Sequence, residues 1–312
     1  MENILIIKHG SLGDIVQISG VLSDIRNSFS KHNIVLLTSP AYEELMIRCP
    51  YIDEIIVDNR KQRWNPFYFI KQKKRLNTFN FSHVFDLQNS KRTEIYRKYI
   101  SVNSIWSSSR SILRDNEKKR DFDQLEILKR FYIQLERSHI NPIQTMKPDF
   151  TWAVDRSFCP IELVSEKYIT LLPFCSKHLH HKKWPYYKEL VELIRTKNKN
   201  IGIAIVPGPE EIAEATKFNA HIILDGNKAT NFFQLSKVLL DSNFVVANDT
   251  GPAHIAAHLG CNGLALFGSH TSHKKVSIKT DKFDVLESND LSDISVAQVY
   301  DKIKLHLEHE DI

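Results

Sequence analysis

Val245–Gly268 reads VVANDTGPAHIAAHLGCNGLALFG, a pattern of strand, polar turn, helix, turn and strand. The apolar run Phe244–Ala247 suits a strand buried on both faces, as in a parallel sheet. Asn248 to Gly251 form a sharp turn in which Asp249 or Thr250 can cap the following helix. Gly251 and Pro252 begin that helix and leave its first N–H groups uncovered, which suits a bound phosphate. Such a turn lies at the carboxyl edge of a parallel sheet, where open α/β sheets take their ligands.

A second turn of this kind opens the chain. The apolar strand Ile4–Ile7 runs into KHGSLGD (Lys8 to Asp14), and then into a helix whose apolar residues Ile15, Val16, Ile18, Val21, Leu22 and Ile25 share one face. The glycines, Gly10 and Gly13, are spaced GxxG, so neither the GxGxxG dinucleotide fingerprint nor a Walker loop is met. Asp14 reads either as a helix cap or as a carboxylate available as a general base.

From these two turns the pattern extends over the whole chain. In the first half, strands are expected over Ile4–Ile7, Ile34–Thr38, Glu54–Val57, Val84–Leu87 and Ser104–Trp106. They alternate with helices over Asp14–Ser28, Ala41–Ile47, Pro66–Leu76, Lys91–Tyr99 and Phe122–Leu135. Asn141–Cys159 lacks periodicity, contains Pro142 and Pro148, and reads as a linker. The second half repeats the alternation. Strands are expected over Ile169–Pro173, Gly202–Val206, Ile222–Leu224, Phe244–Ala247 and Leu264–Phe267. Helices are expected over Pro185–Thr196, Glu210–Phe218, Phe232–Leu240 and Pro252–Leu259. The fold class is therefore α/β, two parallel-sheet domains. Residues 1–155 form one domain and 156–290 the other. The amphipathic segment 291–312 is expected to pack back on the first.

The 312 residues are 42% hydrophobic and 25% charged, ordinary for a globular protein of two domains. The net charge of +5 is unevenly spread. NRKQRW (Asn59–Trp64) and KQKKR (Lys71–Arg75) enclose Trp64, Phe67, Tyr68 and Phe69. This patch reads either as a solvated helix face or as a surface for an anionic headgroup or glycan. Cys49, Cys159, Cys175 and Cys261 form no CxxC pair, which points to a reduced, cytoplasmic chain. No signal peptide and no membrane-spanning apolar run is read, so any membrane contact is expected to be peripheral.

Four motifs together resemble glycosyltransferase family 9, the ADP-heptose:lipopolysaccharide heptosyltransferases. They are ILIIKHGSLGD, HVFDLQNSKR (His83–Arg92), KKWP (Lys182–Pro185) and NDTGPAHIAAHLG (Asn248–Gly260). The resemblance implies a GT-B fold, two Rossmann-like domains facing a central cleft, with the acceptor on the first and the nucleotide sugar on the second. Asp14 matches the family's catalytic base, and Lys182 its K-x-W-P lysine on the donor phosphates. Asp249, Thr250, Gly251 and Pro252 match the diphosphate turn. His254 matches a family histidine, there to touch phosphate or sugar or to serve as a buried structural residue. Glu210 or Glu211 matches a ribose-binding glutamate, and Ser176 is expected to offer a hydroxyl to phosphate. On the acceptor side the resemblance points to Gly10, Ser11, Gly13 and Gln88, with Arg60 and Arg63 from the basic patch. No cofactor or metal is expected, and no nucleic acid. His178, His180 and His181 are spaced like metal ligands but have no acidic partner nearby in the sequence. The sequence departs from the family where PFCSKHLHHKKWP replaces a P-G-[AS] turn and where SHTSHKK (Ser269–Lys275) follows LFG in place of PT.

Overall fold

The computed structural model describes residues 2–60, 65–99, 104–160 and 167–310. The chain divides between Pro148 and Asp149 into two compact domains. The first carries strands β1 (Asn3–Ile7), β2 (Asn33–Thr38), β3 (Glu54–Val57), β4 (Phe81–Asp86) and β5 (Ile105–Ser107). They pair in parallel in the order β3-β2-β1-β4-β5. Ile4 to Ile7 and Ile34 to Leu37 are fully buried, as strands with helices on both faces must be. The chain winds outward from β1 to β3, then returns to the other side of β1 with β4. The turn after β1 therefore lies at the point where the winding reverses, the usual ligand position in such sheets.

The second domain repeats the design with β6 (Tyr168–Leu172), β7 (Gly202–Ile205), β8 (His221–Ile222), β9 (Phe244–Asn248), β10 (Gly263–Phe267) and β11 (Phe283–Glu287). All pairs are parallel, in the order β11-β10-β9-β6-β7-β8. The winding reverses between β6 and β9, so the turns that leave these two strands flank the second switch point.

Four details differ from expectation. The segment Asn141–Cys159 is anchored at both ends rather than loose. Gln144 N, Thr145 N and Thr145 Oγ1 donate to the Asp24 carboxylate at 2.7 to 3.0 Å, whereas Phe150 is fully buried and its N–H donates to His258 O at 3.0 Å in the second domain. That burial moves the boundary ahead of residue 155. The C-terminal helix Val296–Glu310 places Val299, Ile303 and Leu307 in the second domain's core beside Leu190 and Ile194, instead of on the first domain. Edge strand β11 was not anticipated, because FDVLE is short and only partly buried. The helix expected over Asp14–Ser28 is two helices, Leu12–Gln17 and Ser19–Ser28, meeting at Ile18.

His258 lies within the helix Gly251–Leu259, stacked on His254 at 6.1 Å, and burial pushes its pKa down to about 3. A histidine held neutral in the fold but free to charge when unfolded favours unfolding in acid. Its stabilising effect is complete above about pH 6.5 and is lost as pH falls towards 3. Replacing His258 with leucine is expected to flatten the unfolding free energy against pH in that window, by up to about 1.4 kcal/mol per pH unit, as denaturant unfolding at several pH values measures.

Candidate active site

In the first domain, the turn Lys8–Ser11 carries the chain from β1 into the helix Leu12–Gln17. Asp14 is the third residue of that helix. Its Oδ2 accepts from Ser11 N at 2.7 Å and Ser11 Oγ at 3.0 Å, so it does cap the helix. Its Oδ1 accepts from Lys8 Nζ at 3.1 Å. Lys8 is almost wholly buried, its ammonium 5.5 Å from the centre of the Phe131 ring. Burial alone would raise the Asp14 pKa, but the Lys8 charge and the Lys8 and Ser11 donors bring it below the ordinary carboxylate value. Asp14 is thus ionised at neutral pH, and with its side chain 35% exposed it remains open to a substrate. One residue holds both positions, cap and available carboxylate.

Gly10 is needed at this turn. Its φ is +111°, and a Cβ there would lie 2.2 Å from Tyr42 Cε2. Gly10→Ala is expected to cost about 1–3 kcal/mol in stability and to displace Asp14. Denaturant unfolding measures the first effect and turnover the second.

The back of the turn is fixed by a cluster the sequence reading missed. Asp58 is fully buried after β3. It accepts from the Tyr68 and Tyr96 hydroxyls, from Arg92 Nε at 3.2 Å and from Arg60 N at 2.8 Å, and it lies 2.9 Å from His9 Nε2. Burial would raise its pKa, but the His9, Tyr68 and Tyr96 donors drive it far below the carboxylate range. Gln88 Oε1 accepts from His9 N at 2.8 Å, so Gln88 braces the same turn. Gly13 is buried in the helix, and Arg60 is exposed at a positive φ of 50°. Arg63 lies outside the described residues. Lys71, Lys73, Lys74 and Arg75 are exposed on the helix Pro66–Asn77, together with Phe67 and Ile70.

In the second domain, β9 ends at the fully buried Asn248, whose side chain works as a clamp. Its Oδ1 accepts from Trp184 N at 3.0 Å and its Nδ2 donates to Leu172 O at 3.4 Å, tying β9 to β6 and to the segment Lys182–Pro185. Trp184 is fully buried, and its Nε1 donates to Ile294 O at 2.8 Å. So held, the segment sets Lys182 Nζ 2.6 Å from Asp249 Oδ2 and 3.4 Å from Asp249 O. His270, from the loop after β10, brings Nε2 to 2.9 Å from the same Asp249 oxygen. Burial would raise the Asp249 pKa, but Lys182, His270 and the His254 charge bring it below the ordinary value. Thr250 is the N-cap of the helix Gly251–Leu259, with Pro252 in its first turn. The helix therefore begins two residues after Asp249, whose carboxylate meets the ammonium and the imidazole.

Glu211 is half-buried, and its Oε2 accepts from Gly208 N at 2.7 Å; Glu210 is exposed. Ser176 is exposed at the start of the short helix Lys177–Lys182. The structure thus brings Lys182, Asp249, Thr250, Gly251, Pro252 and His254 together in one domain, and Gly10, Ser11, Gly13, Asp14 and Gln88 together in the other. Lys8, Asp58, the Asn248 clamp and His270 were not read from the sequence. The signals on the page were a lysine directly after an apolar strand, an aspartate directly after another, and the departure SHTSHKK.

Residues 70–297 match the family model described as glycosyltransferase family 9 (heptosyltransferase). The chain belongs to glycosyltransferase family 9. No curated relative matches it by sequence. Solved structures share its two-domain GT-B fold at low identity. Escherichia coli heptosyltransferase WaaC with ADP-2-deoxy-2-fluoro heptose matches at 16% identity and a TM-score of 0.73, covering 97% of this chain and 99% of that one. A family 9 glycosyltransferase from Veillonella parvula matches at 16% identity and 0.75, covering 99% and 97%. Escherichia coli ADP-heptose lps heptosyltransferase II matches at 16% and 0.72, covering all of both chains. This family 9 member is a glycosyltransferase by that membership.

Proposed function

We propose that this family 9 enzyme transfers a heptose from ADP-heptose to the lipopolysaccharide inner core or a related anionic glycolipid, with inversion at the anomeric carbon. The observation that carries the reading is the Lys182–Asp249 pair at the second switch point, beside an uncovered helix N-terminus. A fixed ammonium and the positive end of a helix are what a departing diphosphate needs, and they supply that charge in place of a cation. The family description, and the ADP-heptose analogue in the WaaC structure, support adenine as the base and heptose as the sugar.

In this reading Lys182, Thr250 and Gly251 hold the diphosphate, with Ser176, Pro252 and His254 around it. Glu211 meets the ribose through Oε1, since Oε2 is engaged with Gly208. Glu210, exposed, is the less suited of the two. Asp14 takes the proton of the attacking hydroxyl. A low pKa suits that task, because the hydroxyl becomes acidic only as its oxygen bonds to the anomeric carbon. Gly10, Ser11, Gly13, Gln88, Arg60 and Arg63 form the acceptor side. On the helix Pro66–Asn77, Phe67 is 82% exposed and Ile70 53%, and Lys71 and Lys74 lie on the same face. That face suits peripheral contact with the inner surface of the inner membrane from a cytoplasmic protein. Among the described residues no helix is long and apolar enough to cross a membrane.

A calorimetric panel of ADP, UDP, GDP and CMP tests the donor. ADP binding alone supports the reading. Preference for UDP or GDP keeps the fold and the family and removes ADP-heptose.

A further inference from the structure

A carboxylate beside a diphosphate is an electrostatic problem. Asp249 is 5% exposed, at the turn where the donor phosphates are placed. Its pairing with Lys182 alone would leave the turn neutral and would engage the one ammonium that the phosphates need. The structure holds a second donor to the same atom. His270 Nε2 is 2.9 Å from Asp249 Oδ2, the oxygen that Lys182 Nζ approaches to 2.6 Å.

The His270 ring is fixed in that position. It stacks on Phe267 at the end of β10, with centroids 6.2 Å apart and planes within 10°. The His181 ring meets it edge-on at 5.4 Å, and the His270 side chain is 10% exposed. Nε2 faces a carboxylate oxygen, so it carries a proton whether the ring is neutral or charged. His270 is one of the residues by which SHTSHKK departs from the family's PT.

We propose that His270 is a positioning residue of the donor site, which satisfies Asp249 so that Lys182 is left to the donor diphosphate. This rests on the reading of the turn as a nucleoside-diphosphate site. Without the His270 donor, Asp249 Oδ2 draws more fully on Lys182 Nζ and holds that ammonium back from the phosphates.

The test is calorimetric titration of ADP and of adenosine into the wild type, His270→Gln and His270→Ala at one pH. A glutamine keeps a donor to Asp249. The expected result is that His270→Ala binds ADP roughly fivefold more weakly than the wild type, that His270→Gln recovers most of the loss, and that adenosine, which has no phosphate, shows no difference. His270→Ala binding ADP as tightly as the wild type, or His270→Gln no better than His270→Ala, would overturn the proposal while leaving the donor site intact. A wild type that binds no nucleoside diphosphate would overturn the functional reading, and the proposal with it.

Discussion

Asp14→Asn is expected to lower the transfer rate by about 10²–10⁴-fold while leaving donor affinity within about twofold of the wild type. The substitution keeps the shape of the side chain. Its amide oxygen still accepts from Ser11 N, so the helix start survives. What is lost is the capacity to take a proton. It also strands Lys8, whose buried ammonium has Asp14 Oδ1 as its carboxylate partner at 3.1 Å. Some loss of stability is therefore expected as well, because a buried charge is left with only the Leu87 carbonyl, at 3.4 Å. Steady-state rates with saturating donor, beside calorimetry with ADP, separate the two effects. Loss of donor binding in step with loss of transfer would remove Asp14 from the role of base.

Lys182→Ala is expected to act on the other half of the reaction. It should weaken ADP binding and cut the transfer rate together, the rate by roughly 10²–10³-fold, since the ammonium stabilises charge that grows as the diphosphate leaves. The loss is larger than deletion of a phosphate contact alone. Without Lys182, Asp249 keeps its buried negative charge at the phosphate position with less to offset it. Lys182→Arg is a poor substitute, because a planar guanidinium does not replace a compact ammonium on one carboxylate oxygen. Removing the repulsion as well, in Lys182→Ala with Asp249→Asn, should restore part of the ADP affinity. A double variant no better than Lys182→Ala would show that Asp249 exerts no such penalty.

The architecture was legible because it depends on local pattern. ILII at the start of the chain and FVVA at Phe244–Ala247 are the continuous apolar runs of strands covered on both faces, and each is followed by a turn of glycines and short polar residues. The position of those turns at switch points follows from strand order, which the fold supplies. What was not legible depends on contacts between distant segments. Asp58 gathers donors from residues 9, 60, 68, 92 and 96, and no spacing rule brings those positions together. Asn248 read as a turn former, and only the fold shows its amide joining β6 to Trp184. His270 stood in a segment noted as a departure, but its partner Asp249 is in another loop. The C-terminal helix showed its apolar face, Val299, Ile303 and Leu307, without showing which domain that face would cover.

Direct, inverting transfer from an ADP-sugar is tested by proton NMR of the anomeric centre of the product formed from ADP-heptose and a deacylated inner-core acceptor. The expected result is ADP release that depends on acceptor, and a product whose anomeric configuration is opposite to that of the donor. A product with retained configuration, or ADP released at the same rate without acceptor, would contradict it.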